Sequence, residues 1–179
     1  MYSTLQRLNH ISSLATTYVM ILLGLISIAS FLSLPSVDVG KVEIKDLIVQ
    51  KGRLRRWGAR QEELASLKFD IRTDLNPLLN SYNTKQLFIY LTASYEEQST
   101  GHTHDVVLWD RIIQRAEIRD IRAEAKNKYQ WRNPSGTFKN VEYANMTLHY
   151  SLMPYVGLLS SGVAATARGP VTIPELIKR

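Results

Sequence analysis

From Leu14 to Leu34 the chain runs for twenty-one residues without Asp, Glu, Lys, Arg or His. At about 1.5 Å per residue a helix of that length reaches roughly 30 Å, one hydrocarbon core, and no polar side chain in it carries a charge. Such a run is a membrane span or the apolar part of a cleavable signal. Signal segments hold about 7–15 apolar residues and end at a small-x-small site. Ser27-Ile28-Ala29 offers that tripeptide, but Phe31, Leu32 and Leu34 continue the apolar run beyond it, so the reading is an uncleaved anchor. The chain then divides into a head (residues 1–13), a transmembrane helix (14–34) and one domain (35–179).

Orientation does not follow from charge alone, because cations flank the run on both sides: Arg7 before it, then Lys41, Lys45 and Lys51 after it. Asn145-Met146-Thr147 is an N-x-T sequon. Its use would put the domain in a glycosylating lumen and the N-terminus in the cytoplasm.

The roughly 142 residues after Val37 are an ordinary length for one domain with a core of its own. The chain has no Cys, which excludes disulfides, thiolate metal sites and a Cys nucleophile. Its net charge is +6, and the domain carries all sixteen acids and all but one of the twenty-two basic residues. The charges are interspersed and no nucleic-acid recognition motif accompanies them, so they read as solvated surface rather than a nucleic-acid interface.

Period-two alternation dominates this domain. Val37, Val39, Val42 and Ile44 alternate with polar residues, and so does Leu67-Lys68-Phe69-Asp70-Ile71-Arg72. The stretch from Gln86 to Tyr95 is apolar on both faces, as expected of a central strand covered twice. Val106 to Ile113 and Met146 to Leu152 are further strands, and Val171-Thr172-Ile173 closes the sheet. Asn76-Pro77, Ser99-Thr100-Gly101, Asn133-Pro134-Ser135-Gly136 and Gly169-Pro170 are loops. The expected fold is mainly β: one N-terminal transmembrane helix followed by an antiparallel β-sandwich-like domain. Arg60 to Lys68 reads as a short helix or a loop. Ala116 to Lys126 has a helical composition, yet its sparse Ile118 and Ile121 favour a strand there, as does the run from Arg122 to Trp131.

Catalytic chemistry is hard to find. No Ser sits in a G-x-S-x-G setting. His102-Thr103-His104 could share a metal but lacks a third ligand and reads as a surface loop. His149 reads as structural, and Asp70, Asp74, Asp105 and Asp110 as exposed strand or turn carboxylates. No cofactor is called for. Arg53, Arg55, Arg56, Trp57 and Arg60 form the densest basic cluster, a solvated loop or a dock for headgroups or an acidic partner.

The order of motifs resembles subunit 3 of the eukaryotic signal peptidase complex over nearly the whole chain. One span is followed by Phe69-Asp70-Ile71, then Lys85-Gln86-Leu87-Phe88-Ile89-Tyr90-Leu91 and Ala93-Ser94-Tyr95. Val106-Val107-Leu108-Trp109-Asp110-Arg111-Ile112-Ile113, Lys126-Asn127-Lys128-Tyr129 and Asn145-Met146-Thr147-Leu148 come after them. Residues Glu117 to Glu124 depart from the pattern. The resemblance implies a single-pass protein of the endoplasmic reticulum membrane with a cytoplasmic N-terminus and a lumenal domain glycosylated at Asn145. It implies an accessory, non-catalytic subunit that supports and positions the catalytic subunit removing signal peptides from nascent secretory proteins. Its partners would be that catalytic subunit, the other subunits, membrane lipid and, through the complex, nascent chains. Phe69, Leu87, Phe88, Tyr90, Trp109 and Asp110 lie within the shared motifs and are expected to serve structure or subunit contact. Two other readings stay open at this point: a single-span adaptor of the translocation machinery and a membrane-tethered hydrolase.

Overall fold

The computed structural model describes residues 3–53, 61–115 and 120–176. Helix α1 runs from Thr4 to Leu32 and takes in the apolar run to that point. Its start is set by a capping box: the Ser3 hydroxyl accepts the Gln6 N–H, and the Gln6 side chain accepts the Ser3 N–H. The helix therefore begins well before Leu14, and Arg7 and His10 lie on its first turns. None of its side chains is buried, and it is long and apolar enough to cross a membrane.

The rest is β-structure. Strands β1 (Gly40–Arg53) and β2 (Gln61–Asp74) form a long antiparallel pair. A single turn, α2 (Asn76–Leu79), leads into β3 (Thr84–Glu97), which pairs with β4 (His102–Gln114). Then come β5 (Asp120–Lys126), β6 (Trp131–Arg132), β7 (Tyr143–Pro154), β8 (Ser160–Ala167) and β9 (Val171–Thr172). One sheet holds them in the order β4-β3-β7-β8-β1-β2-β5, with β6 beside β2 and β9 beside β7. The sheet curls until its ends meet: Lys128 and Tyr129, just after β5, both donate their N–H to the Leu108 carbonyl of β4 at 2.8 and 3.0 Å.

Inside the curl the apolar residues alternate, although Asp70 and Thr92 are buried as well, so Asp70 is not the exposed carboxylate that the sequence suggests. Ala65, Leu67, Phe69 and Ile71 of β2 face Leu87, Ile89, Leu91 and Ala93 of β3, and Leu148 and Leu152 of β7 join them. Packing of these side chains is the main source of the domain's stability, each fully buried Leu, Ile or Phe contributing about 1.5–3 kcal/mol.

Several expectations need correction. The stretch before Lys68 is neither helix nor loop but the start of β2. Its Glu-rich composition suggests helix, yet Glu63 points inward, where its carboxylate accepts the Phe138 N–H at 2.7 Å and the Thr137 hydroxyl at 2.9 Å. Tertiary hydrogen bonds override local propensity here. Asn76-Pro77 opens the α2 turn, where a proline is tolerated, and Leu78 and Leu79 are buried beneath it. His102 and His104 belong to β4, not to a loop. The second face of β3 is half-exposed rather than covered. Strand β8 leaves no mark in the sequence, because Ser160-Ser161-Gly162-Val163-Ala164-Ala165 carries no large apolar alternation. Three residues of β8 pair with β1 in parallel, so the sheet is not wholly antiparallel. A Cβ on Gly162 would sit 2.6 Å from the Tyr150 hydroxyl, so the ring of Tyr150 occupies the space a side chain would need. The strand expected around residues 122–131 is present as β5 and β6 with a break between them, where Asn127 hydrogen-bonds both ways to Leu67. Residues 54–60, most of the basic cluster, and residues 116–119 lie outside the described residues.

Candidate interaction surface

The motif residues divide between the two faces of the sheet. Phe69 and Leu87 are fully buried. Trp109 also turns inward: it pairs with the core residue Leu91, and a bulge leaves Leu108 without a partner between Trp109 and Val107, which pairs with Thr92. Leu108 is fully buried, while Trp109 is half-buried and meets Phe69 edge to face, with ring centroids 5.8 Å apart at 77°.

Phe88, Tyr90 and Asp110 point the other way. Register places Ile112 beside Phe88, and Asp110 and His149 on either side of Tyr90. The rings form a ladder across two strands: Phe88 stacks on Tyr90 at 5.4 Å, and Tyr90 on His149 at 5.2 Å. Val107, Ile112 and Val163 extend this face with exposures of 41%, 50% and 38%. The result is an apolar, aromatic surface spread over β4, β3, β7 and β8 that no described residue covers. Period two alone forces it, since the even-numbered side chains of β3 must leave the core when the odd-numbered ones enter it.

Asp110 borders this surface and receives the Lys128 ammonium at 2.7 Å. That hydrogen bond holds the Asp110 carboxyl below the usual carboxylate range and pushes the Lys128 ammonium up. The pair fastens the segment after β5 to β4, beside the backbone bonds at Leu108.

Asn145 and Thr147 share the outer face, with Asn145 exposed and Met146 buried between them in the core. An enzyme that recognises an extended N-x-T segment finds the amide open to solvent. Asn145 lies about 30 Å along β7 from Pro154, which is the end of the strand next to α1.

Among the described histidines and carboxylates, His104 Nε2 lies 4.0 Å from Glu97 Oε2, a carboxylate already held by hydrogen bonds within the fold. His10 is exposed on α1, His149 lies in the ring ladder, and His104 tilts against Tyr95 at 5.5 Å. Glu97 is buried; hydrogen bonds from Ser135, Thr100 and Asn133 hold its carboxyl below the usual range. Asn133 also accepts the Tyr95 hydroxyl at 3.3 Å, so this network ties the β3–β4 end of the sheet to the loop after β6. Thr137 takes a hydrogen bond from the Lys139 backbone N–H rather than from its ammonium, and no cluster of three metal-ligating side chains occurs among the described residues.

Residues 1–175 match the family model described as signal peptidase subunit. The chain belongs to that family. Proteins named signal peptidase complex subunit 3 are similar along most of its length. The one from Yarrowia lipolytica is 28% identical over 187 aligned residues, covering 99% of this chain and all of that protein. The one from Saccharomyces cerevisiae is 32% identical over 173, covering 90% and 91%. The one from Caenorhabditis elegans is 31% identical over 164, covering 89% and 87%. Phe88, Tyr90 and Asp110 are the residues of the quoted motifs that the core does not use. The motifs contain Phe88, Tyr90, Asp110 and Ile112; His149 reads from sequence only as structural, and Val163 carries no signal there, so the placing of His149 beside Tyr90 and of Val163 beside His149 does not show. Both become visible only once the strand register is known.

Proposed function

We propose that the chain is a non-catalytic subunit of the signal peptidase complex in the endoplasmic reticulum membrane. Its N-terminus lies in the cytoplasm and its β-domain in the lumen, where Asn145 is glycosylated. The domain packs against the catalytic subunit through the aromatic face and holds it at a fixed height above the bilayer. Signal-peptide cleavage must occur just beyond the signal's apolar segment, so height is a property the complex has to control.

The observation that carries this reading is the junction between α1 and the domain. The Asn83 amide donates to the Ser30 hydroxyl at 2.7 Å and to the Val156 carbonyl at 2.6 Å, and its oxygen accepts the Val156 N–H at 3.0 Å. One side chain thus ties the end of the helix to two turns of the sheet. A domain joined to its anchor in this way sits at one level relative to the lipid. The described hydroxyls that meet a carboxylate, Thr137 on Glu63 and Thr100 on Glu97, serve buried structural networks, which favours a supporting role over a tethered hydrolase.

The test is cleavage of a pre-protein in proteoliposomes. The full chain alone should release no mature product, and adding it to the catalytic subunit should raise the yield of processed substrate. Cleavage by the chain alone would overturn the reading.

A further inference from the structure

The turn between β7 and β8, residues 155–159, carries Tyr155, Leu158 and Leu159 with exposures of 62%, 75% and 66%. A two-strand connection with three large apolar side chains in water is unfavourable unless something covers it. Its position says what does. A Cβ built on Gly157 would lie 3.0 Å from the Ser27 hydroxyl oxygen and 3.4 Å from the Ser27 Cα, so the turn's backbone rests directly on α1. Gly157 has φ +119°, a conformation that other residues avoid. Ser27 and Ser30, one helical turn apart, give the small-residue face that permits this approach.

Ser27 fixes the depth of the turn. A hydrocarbon slab takes about 20 helical residues. Counted from Ile11, the first residue past His10, such a slab ends near Ser30. Counted from Leu14, it ends near Ser33. In both registers Ser27 lies inside the slab, and a turn touching Ser27 therefore lies at the level of the lipid whatever the tilt of the domain. The same end of the sheet presents Tyr82, 90% exposed, whose ring lies 5.4 Å from the Arg115 guanidinium; Arg115 also donates to the Tyr82 carbonyl at 3.0 Å. Two exposed tyrosines and an arginine beside exposed leucines at the helix end of the sheet match the composition of a membrane–water interface.

We propose that this end of the β-domain is a second membrane contact: Leu158 and Leu159 insert into the acyl boundary of the lumenal leaflet beside α1, with Tyr82, Tyr155 and Arg115 at headgroup level. The proposal rests on α1 spanning the bilayer. The occupant is lipid, because the surface is continuous with the lipid-facing side of the helix. The contact gives the domain two points of attachment to the membrane, the anchor and the turn, and so resists rocking about the junction.

The absence of Cys makes a direct experiment simple. Full-length variants Leu158→Cys, Leu159→Cys, Leu22→Cys and Ser99→Cys, each labelled with an environment-sensitive fluorophore, are reconstituted in phosphatidylcholine vesicles. The vesicles carry nitroxide lipids labelled either near the headgroup or near the acyl-chain end. Leu22 lies mid-helix and Ser99 at the far end of the sheet. The expected result is blue-shifted emission at Leu158 and Leu159 that the shallow nitroxide quenches strongly, quenching at Leu22 by the deep one, and water-like, unquenched emission at Ser99. Water-like emission at Leu158 and Leu159 with Leu22 still quenched overturns the proposal while leaving the span intact. Blue-shifted but unquenched emission there places protein rather than lipid over the turn and also overturns it. An unquenched Leu22 refutes the span, and the proposal with it.

Discussion

Trp109→Ala removes a ring that closes the curl of the sheet. Truncating a fully buried Trp costs about 3–5 kcal/mol. Trp109 is only half-buried, so the transfer and cavity part falls to about 2 kcal/mol, and loss of the edge-to-face pair with Phe69 adds roughly 0.5–1 kcal/mol. The expected destabilisation is therefore about 2–3 kcal/mol, a substantial part of a typical domain's 5–15 kcal/mol. Urea unfolding of the full chain in detergent, followed by far-ultraviolet circular dichroism at the β-sheet band, measures it. Combining Trp109→Ala with Phe69→Leu in a double-mutant cycle should return a coupling of about 1 kcal/mol, because the two rings touch. A loss below about 0.5 kcal/mol, or no coupling, would refute the inward placement of Trp109 by the bulge at Leu108.

Phe88→Ser with Tyr90→Ser should leave stability within about 1 kcal/mol of the parent, since both rings lie outside the core, yet reduce the amount of chain recovered with a catalytic subunit in co-purification. Asn145→Gln should abolish the gel-mobility shift produced by glycosidase treatment of the protein from microsomes; an unshifted parent would remove the support for a lumenal domain. Asp110→Asn should destabilise the domain at neutral pH. The folded-state pKa of Asp110 is depressed, so its contribution is full above the ordinary carboxylate range near pH 4 and fades as pH falls through the folded value. Unfolding curves of parent and variant should accordingly converge in acid, and a difference that grows on acidification would contradict the Lys128 pairing.

The sequence shows the architecture where side-chain size reports the environment. The uncharged run marks the body of α1 but not its capping-box start at Ser3, and alternating Leu, Phe and Ile mark the inner faces of β2, β3 and β7. It is silent where the fold uses small or polar residues for tertiary reasons. β8 carries Gly162 where Tyr150 fills the space a side chain would need, and its other residues are mostly Ser and Ala. Glu63 enters the interior because Phe138 and Thr137 are there to receive it. The surface is partly legible: Phe88 and Tyr90 stand out as apolar residues of the wrong parity. Their partner His149 lies some sixty positions along the chain and is joined to them only by register. The membrane-level turn is hidden for the same reason, since only the contact of Gly157 with Ser27 gives Leu158 and Leu159 their depth.

The central claim, that this domain supports a catalytic subunit without cleaving anything itself, meets its most direct test in quantitative mass spectrometry after mild detergent extraction of the tagged full chain. The account predicts that a catalytic signal peptidase subunit dominates the recovered partners, and that Phe88→Ser/Tyr90→Ser lowers its recovery together with total cleavage, leaving cleavage per catalytic subunit unchanged. Undiminished recovery with cleavage per catalytic subunit lost would contradict it, by placing the outer face in the chemistry rather than in the assembly.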